Sequence, residues 1–265
     1  METTYGICNL CVVPGRAEAS DKSEMITQLL FGEHFTILRE SGNWIYIRCA
    51  FDNYECWIDR KQYQPISSET FADLEQHEAA VSMELLSAVE DSLQEQYFPI
   101  VAGSSLPFFD GKTCNLEGYE YQFEGLSSLE PSSIEKAEQL LQFAWMYRNS
   151  PYLWGGRSPL GIDCSGFVQV AFKTIGLKLP RDAYQQADCG EAVSFIEETK
   201  TGDVAFFDNA EGKIIHVGIL LKKEGQHFPS IIHASGEVRL DTLDNEGIKK
   251  ENGEQSHRLR VIKRM

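Results

Sequence analysis

The stretch Gly155-Gly156-Arg157-Ser158-Pro159-Leu160-Gly161-Ile162-Asp163-Cys164-Ser165-Gly166-Phe167 constrains this chain more than any other. Its turn-forming half runs directly into the start of an apolar helix and places one cysteine at the junction. Backbone N–H groups left unpaired at a helix N-terminus stabilise negative charge, so a thiol there is expected to ionise more easily than a free cysteine. Two histidines follow in apolar, strand-like runs, Ile214-Ile215-His216-Val217-Gly218-Ile219-Leu220 and Ser230-Ile231-Ile232-His233-Ala234. A thiol, a base and a third polar group that orients the base are the parts needed for nucleophilic acyl transfer.

Each of these residues has a plainer reading. A helix cysteine is most often simply buried, but Gly161, Asp163, Ser165 and Gly166 suit close substrate approach better than a packed helix, and Cys164 is read as the nucleophile. His216 is read as the general base rather than a core histidine. Alternation along its strand puts Ile214, His216 and Gly218 on one face, with Gly218 expected to leave that face open near the thiol. His233 is read as the orienter, bonded to the far nitrogen of His216 and fixing its tautomer. His34, His77, His227 and His257 sit in turn-like or strongly polar surroundings and are set aside. Cys8-Asn9-Leu10-Cys11 lacks a second pair or a nearby histidine to complete four ligands, so these are read as strand cysteines and no metal or cofactor is expected.

The chain of 265 residues is 42% hydrophobic, enough for two or three units. It contains no run of about 18 apolar residues and no basic-then-apolar start, so neither a spanning helix nor a signal peptide is expected. A natural N-terminus here implies a cytoplasmic protein; a processed one leaves export open. The odd, scattered set of seven cysteines suits a reducing compartment. A formal net charge of −16 repels nucleic acid, anionic lipid and acidic wall polymers, and makes a small soluble peptide the more compatible partner. No Lys or Arg occurs between Lys61 and Lys112, and the acidic residues there are read as a solvated helix face. A monomer is expected.

Residues 1–66 are expected to form a small β-barrel, with strands over Ile7 to Val13, Ile26 to Phe31, Phe35 to Arg39, Trp44 to Cys49 and Glu55 to Asp59, and turn chemistry at Pro14-Gly15 and Ser41-Gly42-Asn43. Residues 67–130 are expected to hold one or two acidic helices over Phe71 to Gln96, from the spacing of Phe71, Leu74, Val81, Leu85, Val89 and Leu93. β segments from Tyr97 to Leu126 follow, broken at Pro99, Gly103 and Pro107. Residues 131–265 open with a capping box at Ser132-Ser133-Ile134-Glu135 and a helix to about Arg148 whose apolar face is Ile134, Ala137, Leu140, Leu141, Ala144 and Trp145. A helix from Cys164 to about Ile175 and a sheet built from Val204 to Phe207, Ile214 to Leu221, Ser230 to Ala234 and Leu259 to Lys263 complete it.

Tyr152-Leu153-Trp154-Gly155-Gly156, Asp163-Cys164-Ser165-Gly166, Pro180-Arg181-Asp182, Gly202-Asp203-Val204, His216-Val217-Gly218-Ile219 and His233-Ala234 occur in an order that resembles the catalytic core of the NlpC-type cell-wall cysteine peptidases. Glu24 to Gln28, Gly32-Glu33, Gly42-Asn43-Trp44 and Tyr54 to Ile58 resemble the bacterial SH3-like domain that precedes such cores, with Cys56 in place of the usual glycine. The resemblance implies an α+β protein, an SH3-like β-barrel followed by a circularly permuted papain-like domain, with residues 67–130 a possible second, degenerate SH3-like unit. It implies hydrolysis of the γ-D-glutamyl to L-diamino-acid bond of peptidoglycan stem peptides with a free N-terminal L-Ala, and a place in murein peptide recycling. By the same resemblance Tyr152 donates to the oxyanion beside the Cys164 N–H, with Asp163 and Ser165 in the same oxyanion and substrate group, and Glu24, Tyr54 and Asp182 hold the substrate's N-terminus. Ala183 stands where the family commonly has serine. Alternatives from the sequence are a non-catalytic wall-fragment binding protein, or a thiol amidase or acyltransferase on the same core.

Overall fold

The computed structural model describes residues 4–128, 135–223, 225–250 and 253–265. The chain forms two compact units, Met1–Pro131 together with Trp154–Pro159, and Ser132–Leu153 together with Leu160–Met265. The turn that leads to Cys164 thus belongs to the first unit, although it lies in sequence within the expected third one.

The first unit opens with strands β1 (Thr4–Ile7), β2 (Val12–Arg16), β3 (Met25–Leu30), β4 (His34–Ser41), β5 (Trp44–Cys49), β6 (Glu55–Asp59) and β7 (Gln64–Ile66). They form one antiparallel SH3-like sheet in the order β3-β2-β6-β5-β4-β1-β7. Two local expectations change. The single strand Ile7 to Val13 is two strands joined by the turn that holds Cys8 and Cys11, and Pro14-Gly15 lies inside β2, where the register slips after Gly15. β2 pairs with β6 only at Arg16, so at Pro14 one side of the strand faces no ladder that needs a donor. Gly15 also accounts for Cys56: a Cβ at position 15 would stand 2.7 Å from the Cys56 sulfur.

The helix expected over Phe71 to Gln96 stops early. Helix α1 (Ser68–Gln76), capped by the Ser67 hydroxyl, gives way to β8 (Ala80–Val81), β9 (Leu86–Asp91), β10 (Gln96–Val101), β11 (Ser105–Leu106), β12 (Thr113–Leu116) and β13 (Tyr119–Phe123). The physical reason is arithmetic: Val81, Leu85, Val89 and Leu93 are four apart, a spacing that serves one face of a helix and one face of a strand equally. Leu93 falls in the β9–β10 turn and is exposed. Pro99 does not break β10 because β10 is the edge of the β10-β9-β13-β12 sheet. This region shares a core with the barrel, where Ile7, Phe31 and Ile66 pack with Leu74, Val89, Ile100, Leu116 and Phe123.

The second unit begins at α2 (Lys136–Met146), so the proposed capping box at Ser132 lies outside the described residues; Glu135, the N-cap, makes no side-chain capping bond. Its buried face is Leu140, Phe143 and Ala144, while Trp145 points outward. Short strands β14 (Arg157–Ser158) and β15 (Gly161–Ile162) precede α3 (Cys164–Lys173), every residue of which is buried, and α4 (Ala183–Gln186). Strands β16 (Glu191–Val193), β17 (Val204–Asp208), β18 (Ile214–Leu221), β19 (Ser230–Ser235), β20 (Glu237–Leu243), β21 (Gly247–Lys249) and β22 (Gln255–Arg264) follow. β22 pairs with both β17 and β21, which closes β17 to β22 into a six-stranded antiparallel barrel with β16 on its outside edge. No helix among the described residues is long and apolar enough to cross a membrane.

Candidate active site

Asp163 is the N-cap of α3, in extended backbone, and its carboxylate accepts the Gly166 N–H at 2.7 Å. That cap makes Cys164 the first residue of the helix. The same carboxylate is clasped by Arg181, at 3.0 and 2.5 Å, and Arg181 also donates to the Ser165 hydroxyl at 2.9 Å. All three side chains are buried. Asp163 and Ser165, grouped from the sequence with the oxyanion and substrate residues, therefore have their polar atoms engaged in fixing the start of the helix. Gln186 reinforces the arrangement by donating to the Ser165 and Pro180 carbonyls.

The backbone N–H of Val217, next to His216 on β18, lies near enough to the Cys164 sulfur to favour its ionised form. Its thiol does not follow the expectation from a helix start. Burial, and after it the Asp163 carboxylate, push its pKa up to about 12, while the Val217 N–H, the Arg181 charge and the Ser165 N–H pull the other way. His216 is held well below 6.5 by burial and by His233 and His257. Both shifts favour a neutral thiol beside a neutral imidazole.

His216 Nε2 lies 2.8 Å from His233 Nδ1, and His233 Nε2 lies 3.0 Å from Asp241 Oδ2. The sheet register explains the meeting. His233 on β19 is paired with Arg239 on β20, so Asp241, two residues further along the same face, sits diagonally within reach. Gly218 does not leave the face open, as its size alone implies; a Cβ there would stand 2.8 Å from both the His233 Cβ and the Ile231 side chain, so the glycine makes room for these two residues of β19. His257, set aside on the sequence, stacks on His216 with ring centroids 4.1 Å apart and planes at 21°, and burial lowers its pKa to about 4. Asp241 and His257 are the site residues that sequence reasoning missed. The hairpin turn at Ser235-Gly236 carries the signal for Asp241, since alternation from it places 233, 239 and 241 on one face.

Tyr152 is held by its own N–H to the Gly236 carbonyl at 2.9 Å and by a parallel bridge to Ile162. Burial, then the nearby Cys164 and Asp163, raise its hydroxyl pKa above the usual value of 10. Asp182 caps α4, its N–H donating to Gln185 Oε1 at 3.1 Å. In the first unit, Glu24 is exposed and accepts the Trp154 indole N–H at 2.6 Å, and the Tyr54 N–H donates to the Asp52 carboxylate. A thiol at a helix start, two linked imidazoles and a buried carboxylate together provide a nucleophile, a proton acceptor and the means to orient it.

The NlpC/P60 family model matches residues 149–255, and the model of the bacterial dipeptidyl-peptidase SH3 domain matches residues 15–62. The chain is 31% identical over 211 residues to the gamma-D-glutamyl-L-lysine dipeptidyl-peptidase of Bacillus subtilis strain 168, covering 73% of this chain and 68% of that one. It is 28% identical over 257 residues to dipeptidyl-peptidase 6 of Lysinibacillus sphaericus, covering 87% and 88%. The crystal structure of an NlpC/P60 family protein from Bacillus cereus ATCC 10987 has the same fold, with a TM-score of 0.77 at 19% identity over 98% of this chain and 99% of that one. With an SH3-like unit ahead of a thiol-bearing helix packed on a six-stranded barrel, the chain belongs to the NlpC/P60 family and is a cysteine peptidase.

Proposed function

We propose that this peptidase hydrolyses the γ-D-glutamyl to L-diamino-acid bond of peptidoglycan stem peptides that carry a free N-terminal L-Ala, and that it serves murein peptide recycling. The observation that carries the reading is the continuous series His216, His233 and Asp241, which starts next in sequence to Val217, whose backbone N–H acts on the Cys164 thiol. The names of the relatives, a gamma-D-glutamyl-L-lysine dipeptidyl-peptidase among them, support the substrate class.

In this reading His216 takes the Cys164 proton as the sulfur bonds to the γ-carbonyl carbon of D-Glu. The developing oxyanion accepts from the Cys164 N–H and the Tyr152 hydroxyl. As the C–N bond breaks, His216 returns the proton to the departing amine, leaving a thioester. Water, deprotonated by His216, attacks that thioester and releases L-Ala-D-Glu, and the proton goes back to sulfur. Asp163, Ser165 and Arg181 keep Cys164 at the first position of α3 throughout.

Glu24, Tyr54 and Asp182 are assigned to the L-Ala end. A carboxylate oriented by the Trp154 indole suits a substrate ammonium. Ala183, the first residue of α4, offers the substrate no hydroxyl. The test is product analysis by mass spectrometry on L-Ala-γ-D-Glu-L-Lys, its meso-diaminopimelate counterpart and a muramyl tripeptide. Release of L-Ala-D-Glu and the free diamino acid from the tripeptides supports the proposal. Release of a sugar from the muramyl peptide, with the tripeptides intact, points to an amidase instead.

A further inference from the structure

We propose that Asp241 is a positioning residue that dictates, through His233, which nitrogen of His216 carries a proton. The inference rests on the assignment of His216 as the base.

The Asp241 side chain is 1% exposed and its two oxygens have three donors facing them: Arg239 Nε at 2.8 Å and His233 Nε2 at 3.0 Å on Oδ2, and Arg239 Nη2 at 2.9 Å on Oδ1. Arg239 meets it as a two-pronged ion pair, the geometry that holds a carboxylate ionised. An ionised carboxylate only accepts, so His233 Nε2 must be the nitrogen with hydrogen. Because Arg239 already supplies the counter-charge, the carboxylate requires no imidazolium beside it. A neutral His233 protonated on Nε2 bears its lone pair on Nδ1, and His216 Nε2, 2.8 Å away, must donate to that lone pair. His216 has one N–H to give in its neutral form. Its Nδ1 is left as the free lone pair, the state a base needs.

Breaking the series at Asp241 undoes this. An asparagine there turns an amide N–H₂ or a carbonyl toward His233, depending on how Arg239 is satisfied. In the first case His233 protonates on Nδ1, donates to His216 Nε2 and leaves the proton of His216 on Nδ1. The base is then blocked without a change of shape. In a serine protease the equivalent carboxylate-to-amide change costs about 10⁴ in kcat through the wrong tautomer.

Two measurements on the full chain test this. In wild-type protein with ¹⁵N-labelled histidine, long-range ¹H–¹⁵N correlation at neutral pH should show His233 and His216 both protonated on Nε2. Protonation of His216 on Nδ1 would overturn the proposal whatever the variants do. In Asp241→Asn, kcat is expected to fall by about 100-fold or more with KM changed little, and His216 should show protonated Nδ1. Turnover within about threefold of wild type in an Asp241→Asn protein whose His216 shows protonated Nδ1, beside an inactive His216→Ala, overturns the relay alone. An active His216→Ala removes the base assignment itself and the relay with it.

Discussion

Arg157, in the glycine-rich turn that leads to Cys164, is clasped by Glu33 of the barrel, with Nη1 and Nη2 donating to its two carboxylate oxygens at 2.7 and 2.9 Å. Nη1 also donates to the Gln28 carbonyl, and the Arg157 N–H to the Gln28 side chain, both at 2.7 Å. Gly155 lets the turn close on β3: its φ is +75°, and a Cβ would stand 2.4 Å from the Met25 carbonyl oxygen. The turn is thus anchored on the SH3-like unit rather than left as a surface loop.

The pair is buried on both sides, at 3% and 5% exposure, so removing one partner strands a charge. Glu33→Ala is expected to destabilise the first unit by about 3–5 kcal/mol and to lower kcat/KM by loosening the approach to Cys164. Urea unfolding followed by tryptophan fluorescence measures the first effect. Loss of less than about 1 kcal/mol would show that the ion pair is incidental.

How much of this was legible beforehand differs from residue to residue. Cys164 stood out because glycine, aspartate and serine surround it where a packed helix would use apolar residues. His216 and His233 stood out as polar residues in apolar runs. Asp241 did not, because Glu237-Val238-Arg239-Leu240-Asp241 looks like a strand with a solvated face, and only the pairing to β19 shows that this face is partly covered. His257 was hidden in the same way by its polar neighbours. A helix start is legible in the sequence, whereas the burial and the position of the Asp163 charge that raise the pKa of the Cys164 thiol are not. The β structure after α1 was missed because a four-residue spacing fits both periods.

A neutral thiol beside a neutral imidazole has a kinetic signature. Since burial raises Cys164 to about 12 and lowers His216, alkylation of Cys164 by iodoacetamide in the free enzyme should accelerate as pH rises through neutrality and beyond. Trapping rates from intact-mass spectrometry between pH 5 and 10 decide this, as order-of-magnitude bounds on the titration range. A rapid rate independent of pH down to about 5 would instead reveal a preformed thiolate–imidazolium pair.

Acid should weaken the fold through the same histidines. His216 is held well below 6.5 and His257 near 4, so between those values and 6.5 the unfolded chain binds more protons than the folded one. Stability must then fall as pH drops below 6.5. Asp241, where hydrogen bonds from His233 and Arg239 outweigh the cost of burial, is held below 3.8, and its contribution is lost as pH falls through that lower range. Melting temperatures across the acid range should decline from neutrality, and His257→Gln should flatten the slope. A flat wild-type profile contradicts neutral, buried imidazoles.

A free substrate amine should matter. N-acetylation of L-Ala-γ-D-Glu-L-Lys removes the cation assigned to Glu24 and Asp182, and kcat/KM is expected to fall by about 100-fold or more, the equivalent of about 3 kcal/mol. Glu24→Ala should lower kcat/KM for the free peptide and narrow the difference between the two substrates. Equal rates on both peptides in wild type would mean that the N-terminus is not recognised.

The nucleophile itself is tested by Cys164→Ala, which removes one sulfur from the first position of α3 and leaves the Asp163 cap and the Arg181 pair in place. The measurement is release of L-Ala-D-Glu from the tripeptide by wild type and variant at equal concentration, with melting temperatures recorded alongside. Wild-type turnover, and a loss of several orders of magnitude in a variant that melts as wild type does, is the expected result. Residual turnover within about tenfold of wild type would contradict Cys164 as the nucleophile.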